Sequence, residues 1–121
     1  MTRLNKIQNG KPILTGRKLK YGSKRTWSEL CGRFFDSKAE ARRGEELRLL
    51  EMAGEISDLR YQVKFILSEK PKVSIAIDFS YLENEKRIFE DVKGMGETRE
   101  FRVKRLWLKQ VHDVDVLLIK R

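Results

Sequence analysis

Apolar residues recur along the chain with a period of two in some stretches and of three to four in others, and the changes of period mark its elements. In RYQVKFIL, residues 60–67, Tyr61, Val63, Phe65 and Leu67 alternate with Gln62, Lys64 and Ile66, which predicts a strand with one buried face. Pro71 marks a turn. Beyond it, VSIAIDFSYL sets Val73, Ile75, Ile77 and Phe79 on one face and Ser74, Ala76 and Asp78 on the other. A polar turn, ENEK, leads into RIFEDVK, where Ile88, Glu90 and Val92 alternate with Phe89, Asp91 and Lys93. The longer period appears on either side of these strands. Ser37 caps a helix, Glu40 three residues later completes a capping box, and Gly54 supplies the stop. Glu40, Gly44, Leu47 and Leu50 or Glu51 fall on one stripe of it. Thr98 opens a second helix to about Gln110, with Phe101, Trp107, Leu108 and Val111 inward and Arg99, Arg102, Lys104, Arg105 and Lys109 as a cationic set. A short hairpin turning at Gly32 precedes the first helix, and Val114 to Ile119 makes a last strand. The pattern predicts an α/β protein with a mixed sheet, its core in the order helix, three strands, helix, strand.

Charge changes this picture at one end. The chain has 121 residues and a net charge of +9, the size of one domain. Residues 1–33 hold nine Lys or Arg against the single acid Glu29, whereas the remainder is nearly balanced. Residues 1–25 are polar, basic and dotted with glycine, which predicts a flexible basic arm followed by a folded domain over 26–121. Basic arms of this kind attract polyanions, nucleic acid first among them; a solvated arm without a partner is the plainer alternative. Lys18, Lys20, Lys24 and Arg25, interleaved with Tyr21 and Trp27, are the candidate contacts to phosphates and bases, with Arg102 and Arg105 on the second helix. For a lone tryptophan, packing on the domain is the commoner fate. One cysteine, Cys31, excludes an internal disulfide and a cysteine-rich zinc site. No secretory signal or membrane span is visible, so a soluble, cytoplasmic protein is expected.

Chemistry concentrates in the hairpin from Val73 to Lys93. A loop from Glu83 to Lys86 puts Asp78 directly across from Asp91, with Cβ atoms roughly 4.5 to 5.5 Å apart. Like charges at that distance destabilise the pair unless a cation intervenes, and Lys93 points to the same face as Asp91. Asp91-Val92-Lys93 as a triplet means little, since composition alone yields about two acid-x-Lys triplets and two occur, the other being Asp36-Ser37-Lys38. Its setting carries the information. The triplet lies in a strand, opposite another acid, after a capped helix whose Glu40 shares a face with core leucines. Glu40 is either a third acid of this site or half of the capping box. Glu90 falls beside Phe79 on the apolar side and ranks below Asp91 as a ligand. Gly94-Met95-Gly96 lacks the lysine and hydroxyl of a phosphate loop, and His112 is assigned no catalytic role.

This arrangement resembles the PD-(D/E)XK, or restriction-endonuclease-like, nuclease superfamily, whose core has the same order of elements, with an acid in the second strand and an acid-x-Lys in the third. KYGSKRTW, FFDSKAEARR, the strand containing Gln62, IDFSY and EDVKG further resemble a family of small phage-encoded proteins in that superfamily. Ile77 stands where the superfamily's name has proline, and Asp91 rather than glutamate heads the triplet. The resemblance implies Asp78, Asp91 and Glu40 as metal-associated acids, Lys93 as the residue that orients the attacking water or stabilises the phosphorane charge, and Gln62 as a possible further contact. Oxygen ligands without His or Cys favour Mg²⁺ or Mn²⁺. No small-molecule cofactor is expected. The expected function is metal-dependent hydrolysis of DNA phosphodiester bonds, on branched DNA such as Holliday junctions, by a homodimer whose two sites make paired nicks. A flap, nicking or non-specific nuclease is the first alternative. A non-catalytic DNA-binding module with structural acids is the second.

Overall fold

A computed structural model of the chain describes the backbone of residues 3–8 and 11–15 and the whole of residues 24–121. Ten elements follow one another: β1 (Arg3–Gln8), β2 (Lys11–Thr15), β3 (Thr26–Ser28), β4 (Arg33–Phe35), α1 (Lys38–Met52), β5 (Ser57–Glu69), β6 (Lys72–Glu83), β7 (Lys86–Lys93), α2 (Arg99–His112) and β8 (Leu117–Lys120). The protein is mixed α/β. Within the stretch expected as an arm, β1 and β2 pair antiparallel, Arg3 across from Thr15 and Gln8 across from Lys11. No periodicity in the sequence marks that pair. β3 and β4 form the expected short hairpin around Gly32, whose φ of +67° suits glycine.

Both helices begin where the capping residues place them. The Ser37 hydroxyl accepts from the Glu40 N–H at 3.1 Å and the Thr98 hydroxyl from the Phe101 N–H at 3.1 Å. α1 ends in a Schellman arrangement, with Gly54 at φ +82° and bonds from Gly54 N–H to Glu51 and from Glu55 N–H to Leu50. Its inward stripe is Glu40, Ala41, Gly44 and Leu47; at the next turn Leu50 is exposed, and the half-buried Glu51 continues the stripe, its Oε2 accepting from the Leu59 N–H at 3.0 Å. Gly44 allows the close approach. A Cβ there would lie 2.7 Å from the buried Phe35 ring and 3.2 Å from Phe79.

The central sheet runs β5-β6-β7-β8, antiparallel through β7, with β8 parallel to β7 and reached through α2. Asn84 and Glu85, at φ +51° and +66°, form a two-residue turn of the type that matches strand twist. This turn fixes the β6–β7 register, so that Glu83 faces Lys86 and Phe79 faces Glu90. Along β7, Ile88 and Val92 join the core under α1 with Phe35, Leu47, Phe79 and Tyr81, while Phe89 joins the core under α2 with Ile75, Ile77 and Leu108. Because side chains alternate, the two helices cover opposite faces of the sheet.

One expectation is corrected here. Strict alternation puts Tyr61, Val63, Phe65 and Leu67 on a single face of β5, and Val73, Ile75, Ile77 and Phe79 on a single face of β6. Instead Tyr61 and Phe79 belong to the α1 core, whereas Phe65, Leu67, Ile75 and Ile77 belong to the α2 core. Phe65 meets Phe89 ring to ring at 5.5 Å. The exchange occurs at Gln62 and Asp78, the pair that drops out of an otherwise continuous ladder from Arg60–Ser80 to Ile66–Ser74. Gln62 adopts a left-handed conformation, φ +51°, so both strands turn over together while their register survives.

Candidate active site

Where β5 and β6 turn over, β6 and β7 also part. The ladder ends at Phe79–Glu90, and the next facing residues are Asp78 and Asp91, as the turn length requires. Their carboxylates replace the missing backbone bonds: the Asp78 N–H donates to Asp91 Oδ1 at 3.0 Å, and the Val92 N–H donates to Asp78 Oδ2 at 2.9 Å. Each acid thus closes a rung with the opposite strand. Lys93 Nζ lies 2.7 Å from Asp91 Oδ2 and 3.5 Å from the centre of the Phe101 ring, so α2 fixes the ammonium from behind.

α1 delivers the third acid. Glu40 is buried in the first turn, and its Oε2 accepts from Gln62 Nε2 at 3.1 Å. The same amide nitrogen donates to Asp78 Oδ1 at 3.1 Å. Gln62 therefore bridges two carboxylates, and its unusual backbone conformation presents the amide between them. Burial pushes the Asp78 carboxyl up to about 8, helped by the charges of Asp91 and Glu40. Burial, then Asp36 and Asp91, push Glu40 up to about 7. Lys93 answers the charge of Asp91, but no ammonium or guanidinium is recorded on Asp78 or Glu40 among the described residues. The site is short of positive charge.

A divalent cation fits that shortage. The donors are carboxylate oxygens, hard ligands that suit Mg²⁺ or Mn²⁺. Among the described residues, no three Asp, Glu, His or Cys groups converge as a ready-made cage. Glu40, Asp78 and Asp91 are instead linked through Gln62 and backbone N–H groups.

Glu90 stands apart from this set. It is fully buried on the α1 face, with Arg43 Nε and Nη2 on its two oxygens at 2.6 and 3.1 Å and the Tyr81 hydroxyl donating at 2.7 Å. Those partners occupy both oxygens. Arg43 has no sequence signal beyond its place on α1, one turn after Glu40.

The proposed nucleic-acid contacts divide. Lys18 and Lys20 lie outside the described residues. Lys24 is exposed, while Arg25 stacks over Phe34 at 5.2 Å beside Trp27, whose ring meets Phe34 at 5.0 Å. Arg102 and Arg105 both pair with Glu97, at 3.3 and 2.6 Å. Lys104 pairs with Glu100, and Lys109 with Asp113 and Asp115. The cationic set of α2 is largely answered by acids on the helix and in the segments flanking it. His112 contacts the Ile66 carbonyl at 2.9 Å and takes no place in the site. Lys120, which no sequence motif marks, stands beside Lys93 in the β7–β8 register.

Residues 18–121 match the model of a family described as "protein of unknown function (DUF1064)", and the chain belongs to that family. Neither the curated proteins nor the solved structures give a match to the chain. Among the described residues no helix is long and apolar enough to cross a membrane.

Proposed function

We propose that the protein is a metal-dependent DNA endonuclease of the PD-(D/E)XK type, acting on branched DNA as a homodimer in the cytoplasm, the host's if the protein is phage-encoded. One observation carries the reading. Glu40, Asp78, Asp91 and Lys93 arrive from three separate elements at the point where two pairs of strands lose their ladder; Asp78 is left without a cation, and Glu40 has only the field of Arg33, which does not offset its burial and its acidic neighbours. Strained backbone and uncompensated acids together are a cost to the fold, and such costs gather at functional sites.

Asp78, Asp91 and Glu40 would hold Mg²⁺ or Mn²⁺, which when bound polarises the scissile phosphate and acidifies water. The chain's own groups supply the rest. Lys93, held between Asp91 and the Phe101 ring, presents a fixed ammonium to the attacking water or to the charge that grows on the phosphorane. Glu40, tied to Asp78 through the Gln62 amide, keeps the third carboxylate beside the other two. The water gives up a proton to solvent, its oxygen bonds to phosphorus as the bond to the leaving sugar oxygen breaks, and that oxygen takes up a proton from solvent. Gln62 keeps Glu40 and Asp78 in register while this happens.

The test compares a four-way junction, a flap and a linear duplex with Mg²⁺, using Asp91→Asn as control. Preferential cleavage of the junction is expected. Equal cleavage of all three would remove the branched-DNA specificity and leave a general nuclease. A second reading, a DNA-binding module with structural acids, is favoured by the lack of a converged cage among the described residues; it requires binding without cleavage under any divalent cation.

A further inference from the structure

The parting of β6 and β7 leaves an opening inside the sheet. Past the Phe79–Glu90 rung, residues 74–77 are paired with β5 on one side and have no ladder partner in β7 on the other. Backbone N–H and C=O groups along such an edge need partners from outside the sheet. A cleft of about 320 Å³ lies here, reaching from Ser74 and Ala76 to Lys93, to the α2 cap Thr98 and, on α2, to Phe101 and Lys104. Its polar lining is mostly of one kind, two ammonium groups and two hydroxyls. The exception is Glu100, whose side chain is 77% exposed and pairs with Lys104 at 3.2 Å. A pair so open to water contributes little and yields readily to a competing anion. Lys93 belongs to both places, since it also contacts Asp91. Whatever enters the cleft is therefore the immediate neighbour of a group at the carboxylates.

We infer that this cleft binds the phosphodiester next to the scissile one in the same nucleic-acid strand, with Lys104 and Ser74 as its contacts and the Phe101 ring as an apolar wall for the sugar. Lysine suits a phosphate that needs charge rather than fixed orientation. The inference deepens the endonuclease reading and rests on it for the identity of the strand. It also separates Lys104 from Arg102 and Arg105. Glu97 is mostly covered and holds those two guanidiniums, whereas the partner of Lys104 is open to water.

The experiment uses the full chain and binding as readout, so that it stands whether or not DNA is cut. A single neutral methylphosphonate is walked along one strand of the substrate, and affinities of wild type, Lys104→Ala and Ser74→Ala are measured by fluorescence anisotropy over a range of salt. At one position the methylphosphonate should weaken wild type about three- to tenfold. Lys104→Ala should weaken binding to unmodified DNA by a similar factor, lower the salt slope by about one, and lose sensitivity to that same position. Additive losses at every position, or an unchanged salt slope, would overturn the assignment. Where cleavage is also seen, the sensitive phosphate should adjoin the cut; a sensitive phosphate remote from the cut would also overturn it. Binding that obeys the cycle with no cleavage under Mg²⁺ or Mn²⁺ would retain the phosphate cleft and discard the nuclease.

Discussion

Glu90 and Asp91 are adjacent in β7, both buried, and treated in opposite ways by the two sides of the sheet. Toward α1, Glu90 meets a bidentate guanidinium and a phenol, so its charge is fully answered. Toward α2, Asp91 shares one ammonium and sits across from Asp78, which has none. Burial of an acid is therefore no sign of a site. Incomplete compensation is the better sign, because a buried charge that the fold leaves unanswered is one that a ligand can answer.

Asp91→Asn should test the incomplete side most severely. Cleavage should fall roughly a thousandfold or more, as for loss of a central catalytic group, while far-ultraviolet circular dichroism and DNA affinity stay near wild type. Retained cleavage would end the proposed role. Arg43→Ala tests the complete side. Leaving Glu90 buried without its partner should cost about 3 to 5 kcal/mol in urea unfolding; a loss below about 1 kcal/mol would mean that Glu90 is answered by Tyr81 alone.

Proton linkage compares the two sides within one measurement. Asp78 and Glu40 have folded values above their ordinary ones, so their contribution to stability is full below about pH 4 and is lost as pH rises through about 7 to 8. Metal-free protein should therefore become less stable across that window, and Asp78→Asn should flatten the decline. Added Mg²⁺ should raise the melting temperature most at the upper end. A flat metal-free profile would mean that the carboxylates are compensated after all. The smallest effect is expected for Gln62→Ala, which removes the bridge but no charge. About a tenfold loss of activity, with the pH optimum moved, would mark Gln62 as a positioning residue; loss of stability alone would make it structural.

Much of this was readable from local rules. Ser37 and Thr98 announce their helices because a hydroxyl can satisfy only nearby N–H groups, and the Asp78–Asp91 opposition follows from the count of residues across the turn. The exchange of faces at Gln62 was hidden. A run such as Tyr61-Val63-Phe65-Leu67 is apolar at every second position whether it serves one core or two, and nothing in it shows where the backbone turns over. Arg43 was hidden for a different reason: its partner is 47 residues away in sequence, and an arginine beside an apolar stripe reads as a stem that carries its charge out to water. The cleft beside Lys93 depends on a ladder that stops, and strand patterns do not record where pairing ends.

The two rungs made by Asp78 and Asp91 set a rule for anyone altering them. One oxygen of each carboxylate holds a main-chain donor of the facing strand, so an alanine at either place removes a piece of scaffold along with any reactivity. Asparagine retains the acceptor and is the fairer substitution. A library selected for folding alone would still retain hydrogen-bond acceptors at both positions, and their persistence there would be evidence about architecture rather than about chemistry.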